Sequence, residues 1–141
     1  EEALWVASHL VLLQLPEGHD SRTILSGVTS PSQLQTAWDS VPVLRRAIDD
    51  RDPILLGTAL AMGLDSKRQI PGAITDMVQK YLTRLEGLHG IYGCKVAGAG
   101  GGGHLVIACE PDVIAEIEGA TCLRVQRVTP DLHGVQSEGW A

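Results

Sequence analysis

The most regular spacing of apolar positions in the chain lies between residues 74 and 85. Six apolar residues recur there at intervals of three and four positions: Ile74, Met77, Val78, Tyr81, Leu82 and Leu85. This period is that of one face of an α-helix, so the segment predicts an amphipathic helix, ended by Gly87. Another helix is predicted to begin at Asp52-Pro53, a capping carboxylate before a first-turn proline, and to end at Gly63-Leu64.

Weaker patterns in the first third of the chain predict shorter helices. Asp20 has the side chain expected of an N-cap, and Gly27 is a suitable end for that helix. Residues 29–40 predict a further short helix or a turn. A separate helix is predicted after them, with Ser40 as its cap and Pro42 in its first turn.

The other apolar runs have the composition and period of strands. Residues 7–16, which end in a proline, predict the first strand, and three later segments predict the others: 90–98, 104–110 and 122–130. A short helix is predicted from Pro111 to Gly119, and the polar tail is a candidate for one more strand. The order of elements predicts one α+β domain over residues 1–141, with an antiparallel sheet and helices packed on one face, a ferredoxin-like arrangement.

Composition and charge narrow the expected partners. The chain has 141 residues, a net charge of −6 and scattered basic residues. Because contacts with phosphate backbones need clustered lysine and arginine, we expect neither nucleic acid nor an anionic membrane as a partner. No apolar run reaches the length that spans a bilayer.

The cysteines and the N-terminal residues indicate the cellular compartment of the protein. Cys94, Cys109 and Cys122 form no CxxC pair and lie within apolar patterns, which predicts buried thiols in a reducing compartment and a cytoplasmic location. The chain starts on an acidic segment rather than a basic secretion signal. Its first methionine is Met62, so we expect it to be part of a longer protein.

A run of glycines separates the second and third predicted strands, in the segment GCKVAGAGGGGHLVIACEP. Consecutive amides in a loop of residues Gly98–Gly103 can point to one side and bind an anion such as phosphate. The alternative is a glycine-rich hairpin or linker that binds nothing. The dinucleotide motif GxGxxG is excluded because a strand follows rather than a helix, and a Walker A loop is excluded because His104 stands where lysine is required.

This segment resembles the third conserved motif of the GHMP kinases, the family of galactokinase, homoserine kinase, mevalonate kinase and phosphomevalonate kinase. The motif is Gly-x-Lys-x-x-Gly-Ala-Gly-Gly-Gly-Gly before an apolar strand, and these residues match it: Gly93, Lys95, Gly98, Ala99 and Gly100 to Gly103. The likeness is strong over residues 93–110 and architectural elsewhere. Bacterial sugar and heptose-phosphate kinases carry a similar motif, so the resemblance implies a C-terminal domain of a sugar or sugar-phosphate kinase.

The resemblance implies a role for the loop beside the nucleotide phosphates and the phosphoryl acceptor. Six residues would form it: Gly98, Ala99, Gly100, Gly101, Gly102 and Gly103. ATP and Mg²⁺ would bind in the complete enzyme, with no tight cofactor on this chain alone. Ala97 replaces a serine or threonine that is common in the family, His104 takes a place that is often aromatic or apolar, and Lys95 is expected to be a strand residue rather than a catalytic one.

The family's nucleotide-binding motif, Pro-x-x-x-Gly-Leu-Gly-Ser-Ser, does not occur in this sequence. In the family that motif belongs to an N-terminal domain, together with the catalytic aspartate and the acidic residue linked to magnesium. The resemblance therefore implies a missing N-terminal kinase domain as partner. It also implies no catalytic residue in this chain, which alone should not transfer phosphate.

Two further residues are candidates for contact with the acceptor. His19 and Arg22 follow the first predicted strand, in a loop that faces the acceptor in GHMP kinases. The alternative is a capped helix start on the surface. His89, His104 and His133 lack the spacing of metal ligands, so no metal site is predicted in this chain. The rival to the kinase hypothesis is a stand-alone ferredoxin-like module for ligand binding or regulation, without catalysis.

Overall fold

The computed structural model describes residues 1–18 and 20–134. The helices in chain order are α1 (Glu2–Ser8), α2 (Ser21–Leu25), α3 (Gln35–Asp50), α4 (Pro53–Arg68), α5 (Asp76–Leu85) and α6 (Ile114–Thr121). The strands are β1 (Leu10–Gln14), β2 (Ile91–Val96), β3 (His104–Cys109) and β4 (Val125–Arg127). Short 3-10 turns at Pro31–Leu34 and Pro111–Val113 lead into α3 and α6.

The four strands form one sheet in the order β2-β3-β1-β4, and every neighbouring pair is antiparallel. Leu12 pairs with Val106 of β3 on one side and with Gln126 of β4 on the other, so β1 is an inner strand. The predicted α+β class and antiparallel sheet with helices against it are confirmed. The sequence β1, helices, β2, β3, α6, β4 favours the more specific ferredoxin-like arrangement, which stays a prediction.

Helices contact both faces of the sheet, whereas the sequence predicted helices on one face. Leu105 and Ile107 of β3 belong to the main buried cluster, which also contains residues of α5 and α6. Ala108, the next residue in the strand, packs instead with Ala47 of α3 and Leu56 of α4. Because successive strand residues point to opposite faces, α3 and α4 lie on the side away from α5 and α6.

Helix α4 approaches β2 unusually closely because a glycine stands on each side of the contact. A Cβ atom added to Gly57 would lie 2.2 Å from the carbonyl carbon of Tyr92, and one added to Gly93 would lie 2.0 Å from the carbonyl oxygen of Gly57. No other residue has a side chain small enough for such an approach. The close contact joins the N-terminal part of α4 to the start of β2. Further along the two elements, Gly63 lies beside Lys95, and Lys67 reaches Gly98, where the glycine run begins.

Several predicted boundaries are confirmed by their caps. The side chain of Asp20 accepts hydrogen bonds from the amides of Arg22 and Thr23, and Asp52 does the same at the start of α4. The amphipathic helix predicted from the 74–85 pattern is α5, which Thr75 caps. The predicted strands over residues 7–16, 90–98, 104–110 and 122–130 are each found, in shortened form, as β1 to β4.

The predicted start of one helix, at Ser40, and the predicted end of another, at Gly63-Leu64, are wrong. Ser40 and Pro42 lie inside α3, and the Ser40 hydroxyl donates to the carbonyl of Ala37 rather than capping a new helix. The helix α4 continues past Gly63-Leu64 to Arg68, because Leu64 is buried in the main cluster and Gly63 packs against the side chain of Lys95. The possible strand in the tail lies outside the described residues.

Candidate functional site

The glycine run forms the connection between β2 and β3. The Ala97 amide donates to the carbonyl of His104 at 2.9 Å, so the antiparallel pairing continues to the base of the loop. Four of the glycines have positive φ: Gly98 (63°), Gly100 (102°), Gly101 (80°) and Gly103 (83°). Residues with a Cβ rarely adopt these angles, so the backbone path itself requires several glycines.

Two segments on either side hold the loop in place. The Gly101 amide donates to the carbonyl of Ala73, before α5, at 2.6 Å. The Gly103 amide donates to the carbonyl of Glu17 at 3.1 Å, and its own carbonyl accepts from the Leu15 amide at 2.7 Å. These bonds place the loop between the end of β1 and the residues that connect α4 to α5.

Close contacts explain the glycines at positions 100 and 102. A Cβ atom at Gly100 would lie 2.7 Å from the carbonyl oxygen of Ala73, and one at Gly102 would lie 2.5 Å from that of Glu17. Much of the glycine run is therefore required by the backbone conformation of the loop and by its close contacts with Ala73 and Glu17. Only the groups that these contacts leave open are available to bind a ligand.

Four loop amides are open in this sense. Within residues 1–18 and 20–134, no hydrogen bond is donated by the amides of Gly98, Ala99, Gly100 and Gly102. The amides of Gly101 and Gly103 are occupied by protein carbonyls, so they are poor candidates for contact with phosphate unless those bonds break. The six predicted phosphate-proximal residues thus do not offer equivalent groups.

A cavity of about 630 Å³ borders the loop at Gly98 and Ala99. Its walls come from α2, the turn before α3, α3 itself, the C-terminal half of α4 and Lys95 of β2. The volume lies in the range of about 300–1,000 Å³ that is usual for sites of small ligands. The cavity joins segments that are far apart in the sequence, and sequence patterns alone did not indicate it.

Two lysines line this cavity beside the loop. The Lys67 ammonium, at the end of α4, donates a hydrogen bond to the carbonyl of Gly98. Burial lowers the pKa of Lys67, and the nearby positive charge of Lys95 lowers it further. Every ion pair of the described part lies elsewhere: Arg45–Asp49, Arg46–Asp50 and Arg51–Glu1. The cavity therefore contains two neighbouring cations without an anionic partner among the described residues.

Of the two candidate acceptor contacts, Arg22 is described by the structure and does not line the cavity. The cavity wall on α2 comes from Ser21 and Leu25, while Arg22 between them is exposed and its amide binds the Asp20 carboxylate at 3.0 Å. His19 lies outside the described residues. Lys67 was not predicted, since in the sequence it is one of a basic pair with Arg68 beyond the predicted end of the helix. Lys95 is a strand residue, as predicted, and also lines the cavity.

The described residues include no group of three histidine, cysteine, aspartate or glutamate side chains that could hold a metal ion. Within the same residues, no helix has both the length and the apolar character needed to cross a membrane. In comparisons with known proteins, neither a protein-family model nor a curated sequence matches the chain.

Proposed function

We propose that the chain is the C-terminal domain of an ATP-dependent small-molecule kinase of the GHMP type. It would supply a phosphate-binding loop and part of the pocket for an alcohol acceptor, for which the sequence motif favours a sugar or sugar phosphate. The observation that carries the proposal is the loop itself, whose open amides at Gly98 and Ala99 border a cavity with two unpaired lysines.

The chemistry of phosphoryl transfer agrees with such a site. Catalysis of this reaction depends mainly on positioning and on stabilising negative charge at the phosphoryl oxygens. Backbone amides and the ammonium groups of Lys67 and Lys95 are suitable donors for that purpose. Mg²⁺ would neutralise charge on the ATP phosphates in the complete enzyme. The described residues contain no group of three histidine, cysteine, aspartate or glutamate side chains that could bind it.

A second function remains as the alternative proposal, a ligand-binding or regulatory module without catalysis. The same cavity favours it, because two unpaired cations beside open amides bind an anion whether or not phosphate is transferred. A nucleotide-binding domain in the same protein would support the kinase. Binding of phosphate compounds by a complete protein that never transfers phosphate would support the module.

We also propose a cytoplasmic location. The three cysteines form no disulfide. Burial raises the pKa of both Cys94 and Cys109 to about 11, whereas Cys122 is exposed, so the prediction of a buried thiol is wrong there. Thiols that stay protonated near neutral pH react slowly, which agrees with a structural role in a reducing compartment.

The loop's part in the proposal is tested by titrating the ¹⁵N-labelled chain with Mg-ATP and following its amide resonances. We expect the resonances of Gly98, Ala99, Gly100 and Gly102 to shift, at least weakly, because their amides are free to donate hydrogen bonds to phosphate oxygens. Gly87 and Gly119 serve as internal controls, since both are surrounded by open space. Shifts no larger in the loop than at these two controls, at millimolar nucleotide, would refute a phosphate-binding loop.

A further inference from the structure

Most of the wall of the cavity beside the glycine loop is apolar. The aliphatic side chains that line it are Leu25, Val28, Leu34, Ala37, Val41 and Ile70. Two serines in the wall use their hydroxyl hydrogens within the protein, since Ser40 donates to the carbonyl of Ala37 and Ser66 to that of Gln33. An acceptor with many hydroxyl groups would find few free hydrogen-bonding side chains on this side.

The two charged side chains of the cavity wall lie close together beside the glycine loop. Lys67 is anchored to the Gly98 carbonyl, and Lys95 extends from β2 alongside Gly63 of α4. Two like charges brought together and partly desolvated are unfavourable unless an anion lies between them. The carboxylates that pair with basic residues in the described part all lie on other surfaces, at Glu1, Asp49 and Asp50.

We propose that this cavity selects an amphiphilic anion, with its phosphate or carboxylate between Lys67 and Lys95 and an aliphatic body against Leu25, Val28 and Ile70. The inference rests on the proposed kinase function in treating that molecule as the phosphoryl acceptor. It replaces the sugar or sugar phosphate that the sequence motif favours, because a bare sugar lacks the anion and a sugar phosphate lacks the aliphatic body.

The volume of the cavity favours a substrate over the phosphates of ATP as its occupant. Inorganic phosphate or the end of a nucleotide would occupy only the lysine end and leave the aliphatic wall in contact with water. A carbon chain of several atoms removes that apolar surface from water, and each buried methylene strengthens binding. Charge at one end and hydrocarbon at the other therefore recognise the two halves of one small molecule.

Simple probes separate these contributions in titrations followed by the methyl resonances of Leu25, Val28 and Ile70. We expect hexyl phosphate to bind about tenfold or more tightly than inorganic phosphate, 1-hexanol or glucose 6-phosphate, because only hexyl phosphate fills both ends. Hexanoate tests which anion is preferred, and binding of either amphiphile supports the proposal. Equal affinity for glucose 6-phosphate, or cavity methyl groups that do not respond to either amphiphile, would overturn it.

Substitution of one lysine tests the charged end. We expect Lys95→Met to weaken binding of hexyl phosphate about tenfold and to leave 1-hexanol unchanged, with Lys95→Arg retaining most of the affinity. Lys80→Met is the matched control, because Lys80 is exposed on α5 and does not line the cavity. Val41→Asp, at an exposed position of the cavity wall on α3, places a carboxylate in the site without removing a core residue and should weaken the same probe. Unchanged affinity in both Lys95→Met and Val41→Asp would exclude this cavity as the site.

The two proposals fail in distinguishable ways. If Mg-ATP shifts the loop amides but neither amphiphile shifts the cavity methyl groups, the acceptor class is wrong and the kinase proposal stands. If hexyl phosphate binds as expected but Mg-ATP leaves Gly98 and Ala99 unchanged, the cavity binds an amphiphilic anion and the kinase proposal falls.

Discussion

Replacing Gly57 by alanine is expected to lower the free energy of unfolding by about 3 kcal/mol or more. The new methyl group would lie 2.2 Å from the carbonyl carbon of Tyr92 and 2.3 Å from its oxygen. Both atoms belong to the backbone of β2, so no side-chain rotation relieves the overlap, and α4 has to move away from the sheet. Urea unfolding of the variant and the wild type, followed by circular dichroism, measures the change.

Gly119→Ala is the matched control for this substitution. Gly119 also lies inside a helix, α6, but a Cβ atom there meets nothing within 4 Å. Alanine is the better helix former, so this variant should be more stable than the wild type by about 0.5–1 kcal/mol. If Gly57→Ala behaved like Gly119→Ala, the close approach of α4 to β2 would be wrong.

Gly100→Ala is expected to cost about 3 kcal/mol and to displace the glycine loop. Two effects combine there, a φ of 102° and a Cβ position 2.7 Å from the carbonyl oxygen of Ala73. Relief of the overlap moves the loop away from Ala73 and breaks the hydrogen bond from the Gly101 amide. Faster hydrogen exchange of the Gly101 amide, measured alongside unfolding, would report that break.

Gly87→Ala separates backbone strain from close contact. Gly87 has a similar φ of 80°, but a Cβ atom there has no neighbour within 4 Å. Only the strain applies, so we expect a cost of about 1 kcal/mol. Equal costs at the two positions, with the exchange rate of Gly101 unchanged, would show that the loop does not depend on its contact with Ala73.

The helices and strands were mostly predictable because their signals are local. The period of α5 and the carboxylate cap of α4 each lie within a few neighbouring residues. The wrong helix boundaries were predicted from Ser40, Pro42 and Gly63, because residues of these types are common at helix ends. Their actual settings depend on partners remote in the sequence, such as the contact of Gly63 with Lys95. Tertiary packing outweighs a local signal in these cases.

The candidate site was predictable only in part, for the same reason. The glycine run drew attention to residues 98–103, but no pattern indicated that Gly101 and Gly103 would be bonded to Ala73 and Glu17. Lys67 is separated from the loop by 31 positions and reaches it only because α4 lies against β2. A lysine beyond the predicted end of a helix usually faces solvent, so its sequence context gave no reason to place it in a cavity.

The glycine loop is expected to bind the phosphates of ATP through the amides that the protein leaves open. A crystal structure of the chain with a non-hydrolysable ATP analogue and Mg²⁺ tests it most directly. We predict phosphate oxygens at about 3 Å from the amide nitrogens of Gly98 or Ala99, the usual hydrogen-bond distance, with the loop bonds of Gly101 and Gly103 intact. Phosphate bound only at sites remote from the loop, or no phosphate at saturating concentration, would contradict the claim.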